Sequence, residues 1–244
     1  MSSFRRSAYV VFPEHQDAVV AVVTPELGRG PLSVVVEAGP GKEFVPGTPV
    51  RLACGRLQVG GCTWELPQDA AWDPTLPRRL PEPATVRRCC DWLASVASPE
   101  SLAPILPHLL LGRGPRLQAW QRRALEGAAA MVGGREALGW RILCGLGPGL
   151  TPSGDDFLCG WMLARYVAGL PRGTPRLEGT GRISRAYLRA AAAGQASEAW
   201  HHLVASLAAG GPWEPAAEAA LRAGETSGAD TLTGFLAGLH RLRT

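Results

Sequence analysis

The chain reads as an α+β protein: a small N-terminal antiparallel β barrel or sandwich, then a larger α-helical domain in which two glycine-led, capped helices pack together. Three observations predict it. Short valine-rich runs, punctuated by Pro-Glu and Gly-Pro turns, fill residues 1–66. Pro67, Pro74, Pro77, Pro81 and Pro83 then crowd the stretch between Trp64 and Trp92 and make a semi-extended connection over residues 67–82. Across residues 83–244 the apolar period becomes helical, and the alanine content suits close helix packing.

Strands are expected at Tyr9-Val10-Val11-Phe12, at 18–24 and at 32–37. Others follow at 51–54 and 56–59, on either side of Gly55, and at 62–66 after Gly60-Gly61. Only isolated charges appear there, so this domain is a docking module or one wall of a site. Residues 84–97 make a first helix. Ser98-Pro99-Glu100 offers a cap and an N1 proline for a second that runs to Leu111. Leu117, Trp120 and Leu125 share a face of a third helix, which stops at Gly133-Gly134, and 136–143 form a fourth. After the central helix come helices over 182–193, 196–209, 214–223 and 227–242.

The helical domain is organised around Gly145-Leu146-Gly147-Pro148-Gly149-Leu150-Thr151-Pro152-Ser153-Gly154-Asp155-Asp156. A glycine-rich loop feeding a helix N-terminus is a ready anion site, with outward N–H groups and a positive dipole end. Ser153 serves as N-cap and Asp156 as its N3 partner, in the manner of a capping box. The residues after them are apolar on nearly every side, so this helix is buried. Capping alone asks neither for so many glycines nor for helix-poor Gly154 in the first turn.

The signal recurs in Thr226-Ser227-Gly228-Ala229-Asp230, where Ser, Gly, Asp, Leu and Gly stand at the offsets of the first copy. Gly160 and Gly234 lie about two turns into the two helices, where a missing side chain lets helices approach closely. The N-termini are therefore expected to converge on one pocket. Gly147, Gly149, Thr151, Ser153, Gly154, Thr226, Ser227, Gly228 and Asp230 are the candidate anion-binding residues, and Asp155 and Asp156 the candidate catalytic ones. Asp155 is the more suggestive because Ala229 stands in its place in the second copy, whereas Asp156 and Asp230 occur as capping requires. On this reading Asp155→Asn keeps stability within about 1 kcal/mol and lowers ligand affinity or catalysis at least tenfold, about 1.4 kcal/mol.

Composition narrows the function classes. At 244 residues and 46% hydrophobic content, the chain can bury one large core or two small ones. The net charge is +4, but the arginines are scattered as pairs without interleaved aromatics, which argues against nucleic acid. The opening Met-Ser-Ser-Phe-Arg-Arg lacks the apolar core of a signal peptide, and no apolar run reaches membrane-spanning length. The six cysteines show no C-x-x-C spacing and read as reduced thiols of a cytoplasmic protein. Arg182, Arg185 and Arg189 share a helical face that is solvated or holds a carboxylate or phosphate. His201-His202 and His108 are weaker candidates, and neither G-x-S-x-G nor G-x-x-x-x-G-K-S/T occurs.

Gly-Leu-Thr-Pro-Ser-Gly-Asp-Asp-Phe-Leu-x-Gly, followed some seventy residues on by Thr-Ser-Gly-Ala-Asp-x-Leu-x-Gly, resembles a bacterial family that includes the AllH subunit of oxamate carbamoyltransferase. The run Pro25-Glu26-Leu27-Gly28-Arg29-Gly30-Pro31-Leu32-Ser33-Val34-Val35-Val36 looks like that family's N-terminal part. The resemblance implies phosphorolysis of oxalurate to oxamate and carbamoyl phosphate, or its reverse, with partner subunits or a homo-oligomer. The Ser-Thr-Arg-Thr signature of ordinary carbamoyltransferases is missing, so the scaffold differs. Attack on the carbamoyl carbon develops negative charge on its oxygen, which two helix N-termini and a glycine loop would stabilise. Asp155 would accept a hydrogen bond from the carbamoyl amide, act as a base or help hold a metal such as Mg2+. Two alternatives stand beside this: a non-catalytic subunit binding a metabolite or phosphate, and a family enzyme acting on another small carboxylate or amide.

Overall fold

Valine alternation builds the N-terminal sheets. β1 (Ser2–Ser3), β2 (Ser7–Phe12), β3 (Ala18–Val23) and β4 (Ser33–Val35) form one sheet in that order, and β5 (Val50–Ala53), β6 (Arg56–Val59) and β7 (Cys62–Glu65) form a second. The structure is a computed structural model and describes residues 2–3, 6–15, 17–37, 44–66, 72–171 and 174–242; Pro67 of the expected connection lies outside them. Along β2 every second side chain is buried, and Ala8, Val10 and Phe12 join Val22 of β3 with Leu57 and Val59 of β6 in one apolar cluster. Both sheets thus face a common core. The expected barrel does not close, and the sheet is not wholly antiparallel: β3 and β4 run parallel, with Ala21 opposite Ser33 and Val23 opposite Val35. A 3-10 turn at Pro25–Leu27 and Gly28 at φ 71° carry the chain back, where a tight hairpin turn would have reversed it.

The chain falls into two compact units, 1–74 and 75–244. The second is helical: α1 (Pro83–Val96), α2 (Leu106–Leu111), α3 (Ala119–Val132), α4 (Glu136–Leu143), α5 (Ser153–Val167), α6 (Arg182–Ala192), α7 (Glu198–Ala209), α8 (Glu214–Leu221) and α9 (Ser227–Arg241). At its start Leu76 is buried and donates its N–H to Gly194 O at 2.9 Å. The α+β reading holds. The second helix begins at Leu106 rather than Ser98, because a helix from Ser98 would enclose Pro104, which has no N–H to donate and clashes with the preceding turn. Residues 98–101 turn instead, Ser101 donating to Ser98 O at 3.0 Å, before a 3-10 turn at Ala103–Ile105.

α5 is the core. Every residue from Ser153 to Val167 except Arg165 is buried, as its apolar circumference predicts. α9 packs along it at a separation only glycine permits. A Cβ on Gly160 would run into the carbonyl oxygen of Thr231, and one on Gly234 into that of Phe157. Gly238 continues the seam, since a Cβ there would lie 2.7 Å from Ala164 Cβ. The expected crossing at Gly160 and Gly234 is therefore found, and it brings two helix N-termini to the same end of the pair.

Candidate functional site

At that end the two serines do not cap their own helices. α5 begins at Ser153 with Pro152 as N-cap, and α9 begins at Ser227 with Thr226 as N-cap; neither helix has a side-chain cap hydrogen bond. The expected capping box of Ser153 and Asp156 is absent. Pro152 holds the extended N-cap conformation, and its carbonyl accepts the N–H groups of Asp155 at 2.9 Å and Asp156 at 3.1 Å. The polar side chains work across the helix pair instead. Thr151 Oγ1 donates to Asp156 Oδ2 at 3.1 Å and lies 3.1 Å from Ser227 Oγ. Ser227 also bonds to Asp156, while the hydroxyls of Ser153 and Thr226 favour the ionised form of Asp230. Each helix thus sets its first serine against the aspartate of the other.

The remaining candidates divide by what their main chain does. Gly147 and Gly149 adopt φ 105° and 102°, which frees the loop to turn its N–H groups outward. Among the described residues, the N–H groups of Gly147, Gly149, Ser153 and Ser227 meet no protein acceptor. Those of Gly154 and Gly228 are used by the fold, donating to Leu146 O at 2.8 Å and Ala223 O at 2.9 Å. Neither glycine has room for a Cβ, Gly154 facing Leu143 O and Gly228 facing Ala220 O.

The three aspartates sit in different surroundings. Asp155 is 1% exposed, and both its oxygens are engaged: Oδ1 accepts Gly145 N–H at 2.8 Å and Oδ2 accepts the Thr180 hydroxyl. It ties the start of the glycine loop to the 179–180 turn. Burial, then the Asp155 charge, pushes the neighbouring Cys144 thiol up to about 11. Arg185 of α6 is half-buried and gives its Nε to Thr180 O at 3.1 Å, which brings a fixed positive charge to this turn. Asp230 is fully buried and accepts Leu102 N–H through Oδ1 at 2.5 Å, while its Oδ2 has no hydrogen-bond partner among the described residues. Burial raises its carboxyl to about 6. Asp156 is pushed well above the usual carboxylate range, first by burial and then by the charge of Asp230.

Arg182 and Arg189 are exposed on α6, His201 and His202 lie on α7, and His108 faces Pro115 O at 2.9 Å. Thr180, Gly145 N–H and Leu102 N–H were missed in the sequence. The flanking Gly179 and Gly181 are the only signal that marks Thr180, and main-chain partners leave none. No group of three or more His, Cys, Asp or Glu side chains among the described residues is placed to hold a metal ion.

A helical unit in which two serine-and-aspartate N-termini cross on glycine defines a class, and residues 143–239 match the model of one family. That family is described as oxamate carbamoyltransferase subunit AllH, and the matched residues hold both motifs. No solved structure matches the chain. Among the described residues, no helix is long and apolar enough to cross a membrane.

Proposed function

We propose that the chain is a subunit of a carbamoyl-transferring enzyme and that its anionic substrate binds where α5 and α9 begin. The observation that carries this is the convergence of the two N-termini, with Thr151 Oγ1 and Ser227 Oγ 3.1 Å apart and the N–H groups of Gly147, Gly149, Ser153 and Ser227 unused by the fold. Unused N–H groups at a positive dipole end fit a phosphate or carboxylate. The reaction is phosphorolysis of oxalurate: a phosphate oxygen attacks the carbamoyl carbon, the C–N bond breaks, and oxamate leaves after its nitrogen takes a proton. Negative charge on the carbamoyl oxygen is met by the loop N–H groups. Asp155 keeps the loop in place through Gly145 N–H and the Thr180 hydroxyl.

The full engagement of Asp155 favours a second reading, in which this subunit binds the metabolite and a partner subunit does the chemistry. Calorimetry with phosphate, carbamoyl phosphate, oxamate and oxalurate tests the site, and assays of the chain alone and after reconstitution with partner subunits separate the readings. Saturable binding of at least one of these anions, weakened tenfold or more by Ser227→Ala, is expected; the variant removes the hydroxyl that lies 3.1 Å from Thr151 Oγ1 and leaves the helix N–H groups in place, and a hydrogen bond to a charged ligand contributes about 1.5–3 kcal/mol. Unchanged binding in that variant sinks the site. Full activity of the chain alone sinks the second reading.

A further inference from the structure

We propose that Asp156 and Asp230 hold one proton between them, and that the Thr151 and Ser227 hydroxyls carry it between this pair and an anion bound at the two helix N-termini. The relay rests on the anion site proposed above; the pair does not. The two carboxyls come from equivalent places in the first turns of α5 and α9, 8% and 0% exposed. Around them, α5 adds only Asp155 and Cys159, and the segment at Leu102 adds a main-chain N–H. No ionisable side chain of α1, α3 or α8 bears on either, and no ion pair among the described residues involves them. Two buried carboxylates without a cation do not both ionise, so one proton stays while the other charge is held by hydroxyl and N–H donors.

Both carboxyls are met by donors, Asp156 by the Thr151 and Ser227 hydroxyls and Asp230 by Leu102 N–H and the Ser153 and Thr226 hydroxyls. Asp230 Oδ2 nevertheless has no partner within hydrogen-bond distance among the described residues. A purely structural pair has no need of a route outward, yet one exists. Thr151 Oγ1 touches Asp156 Oδ2 and Ser227 Oγ, each at 3.1 Å, and both hydroxyls are half-buried at the mouth of the helix pair. A hydroxyl accepts one proton while donating another. When Asp156 carries the proton, the Thr151 hydroxyl turns to accept from it and to point its own proton outward, so the Asp156 O–H bond breaks toward Thr151 and the Thr151 proton passes to Ser227 or directly to the ligand. In phosphorolysis the leaving nitrogen takes this proton, and the attacking monoprotonated phosphate returns its own to the pair, so the pair ends as it began. Asp156 and Asp230 are positioning residues in this scheme, acting through the hydroxyls.

Carbon-13 NMR titration of the aspartate carboxyls in the full chain tests the pair. In Asp230→Asn, whose side-chain oxygen can still accept Leu102 N–H, the Asp156 midpoint is expected to fall by at least one pH unit, and Asp156→Asn lowers that of Asp230 in the same way. Midpoints unmoved in either variant overturn the pair. Calorimetry with inorganic phosphate, in two buffers of different ionisation enthalpy, tests the relay. Wild type is expected to exchange a fraction of a proton on binding, and Thr151→Val to bind phosphate without that exchange. Exchange that persists in Thr151→Val overturns the relay. Coupled midpoints without any phosphate heat uphold the pair and overturn both the relay and the anion site.

Discussion

Asp155 shows how one side chain changes meaning between sequence and structure. Alone among the three aspartates it lacks a counterpart in the second copy, which marks it as the functional carboxylate. In the structure both its oxygens are spent on Gly145 N–H and the Thr180 hydroxyl. Asp155→Asn replaces one acceptor by a donor, so one of those groups is left facing an N–H. The variant should lose about 1–3 kcal/mol of stability, the cost of a buried unsatisfied group, rather than staying within the smaller change that the sequence suggested. Urea denaturation measures this, and a loss under about 0.5 kcal/mol would show that the loop is held by other contacts. The asymmetry itself was legible, since Asp against Ala229 is visible in the letters. Its cause was not, because Thr180 lies 25 residues away and carries no motif of its own.

At the scale of elements, the crossing of α5 and α9 is where sequence and structure agree most closely. Gly160 and Gly234 stand at the same offset in both copies, and each faces the other helix's backbone. In an exposed helix, Gly→Ala would gain about 0.5–1 kcal/mol. Here the new Cβ meets a carbonyl oxygen that cannot move without the helix, so Gly160→Ala should destabilise by about 2–3 kcal/mol, in the range of overpacking. Thermal melts decide the sign, and a more stable Gly160→Ala variant would show that the helices separate at no cost. The capping reading failed here for a related reason. Ser153 and Asp156 have the spacing of a box, but Pro152 takes the N-cap place and the neighbouring helix supplies closer partners. Capping rules describe one helix, and these are two.

For the molecule as a whole, the buried carboxyls make stability depend on pH. Burial raises Asp230 from its ordinary 3.8 to about 6, so the folded state binds its proton more tightly than the unfolded state does. Its contribution is fully present below pH about 4 and is lost as pH rises through about 6. The loss is on the order of 3 kcal/mol, and Asp156 shifts the same way. Unfolding free energies measured from pH 4 to 8 should carry a descending component that Asp230→Asn removes. A variant whose pH profile superimposes on that of wild type would show that Asp230 does not titrate in this window.

The sequence by itself determined what depends on neighbours and periods. Valine alternation gave strands, a helix apolar all round gave the buried α5, and repeated glycine gave the close crossing. It also carried the family motif that residues 143–239 bear out. Tertiary structure decided the partners: Leu102 N–H for Asp230 across 128 residues, Ser227 for Thr151 across 76, and the parallel union of β3 with β4. A hydrogen bond is satisfied by any donor of suitable geometry, so its chemistry can be read from one residue type. Which donor arrives is fixed only when the helices and strands have packed.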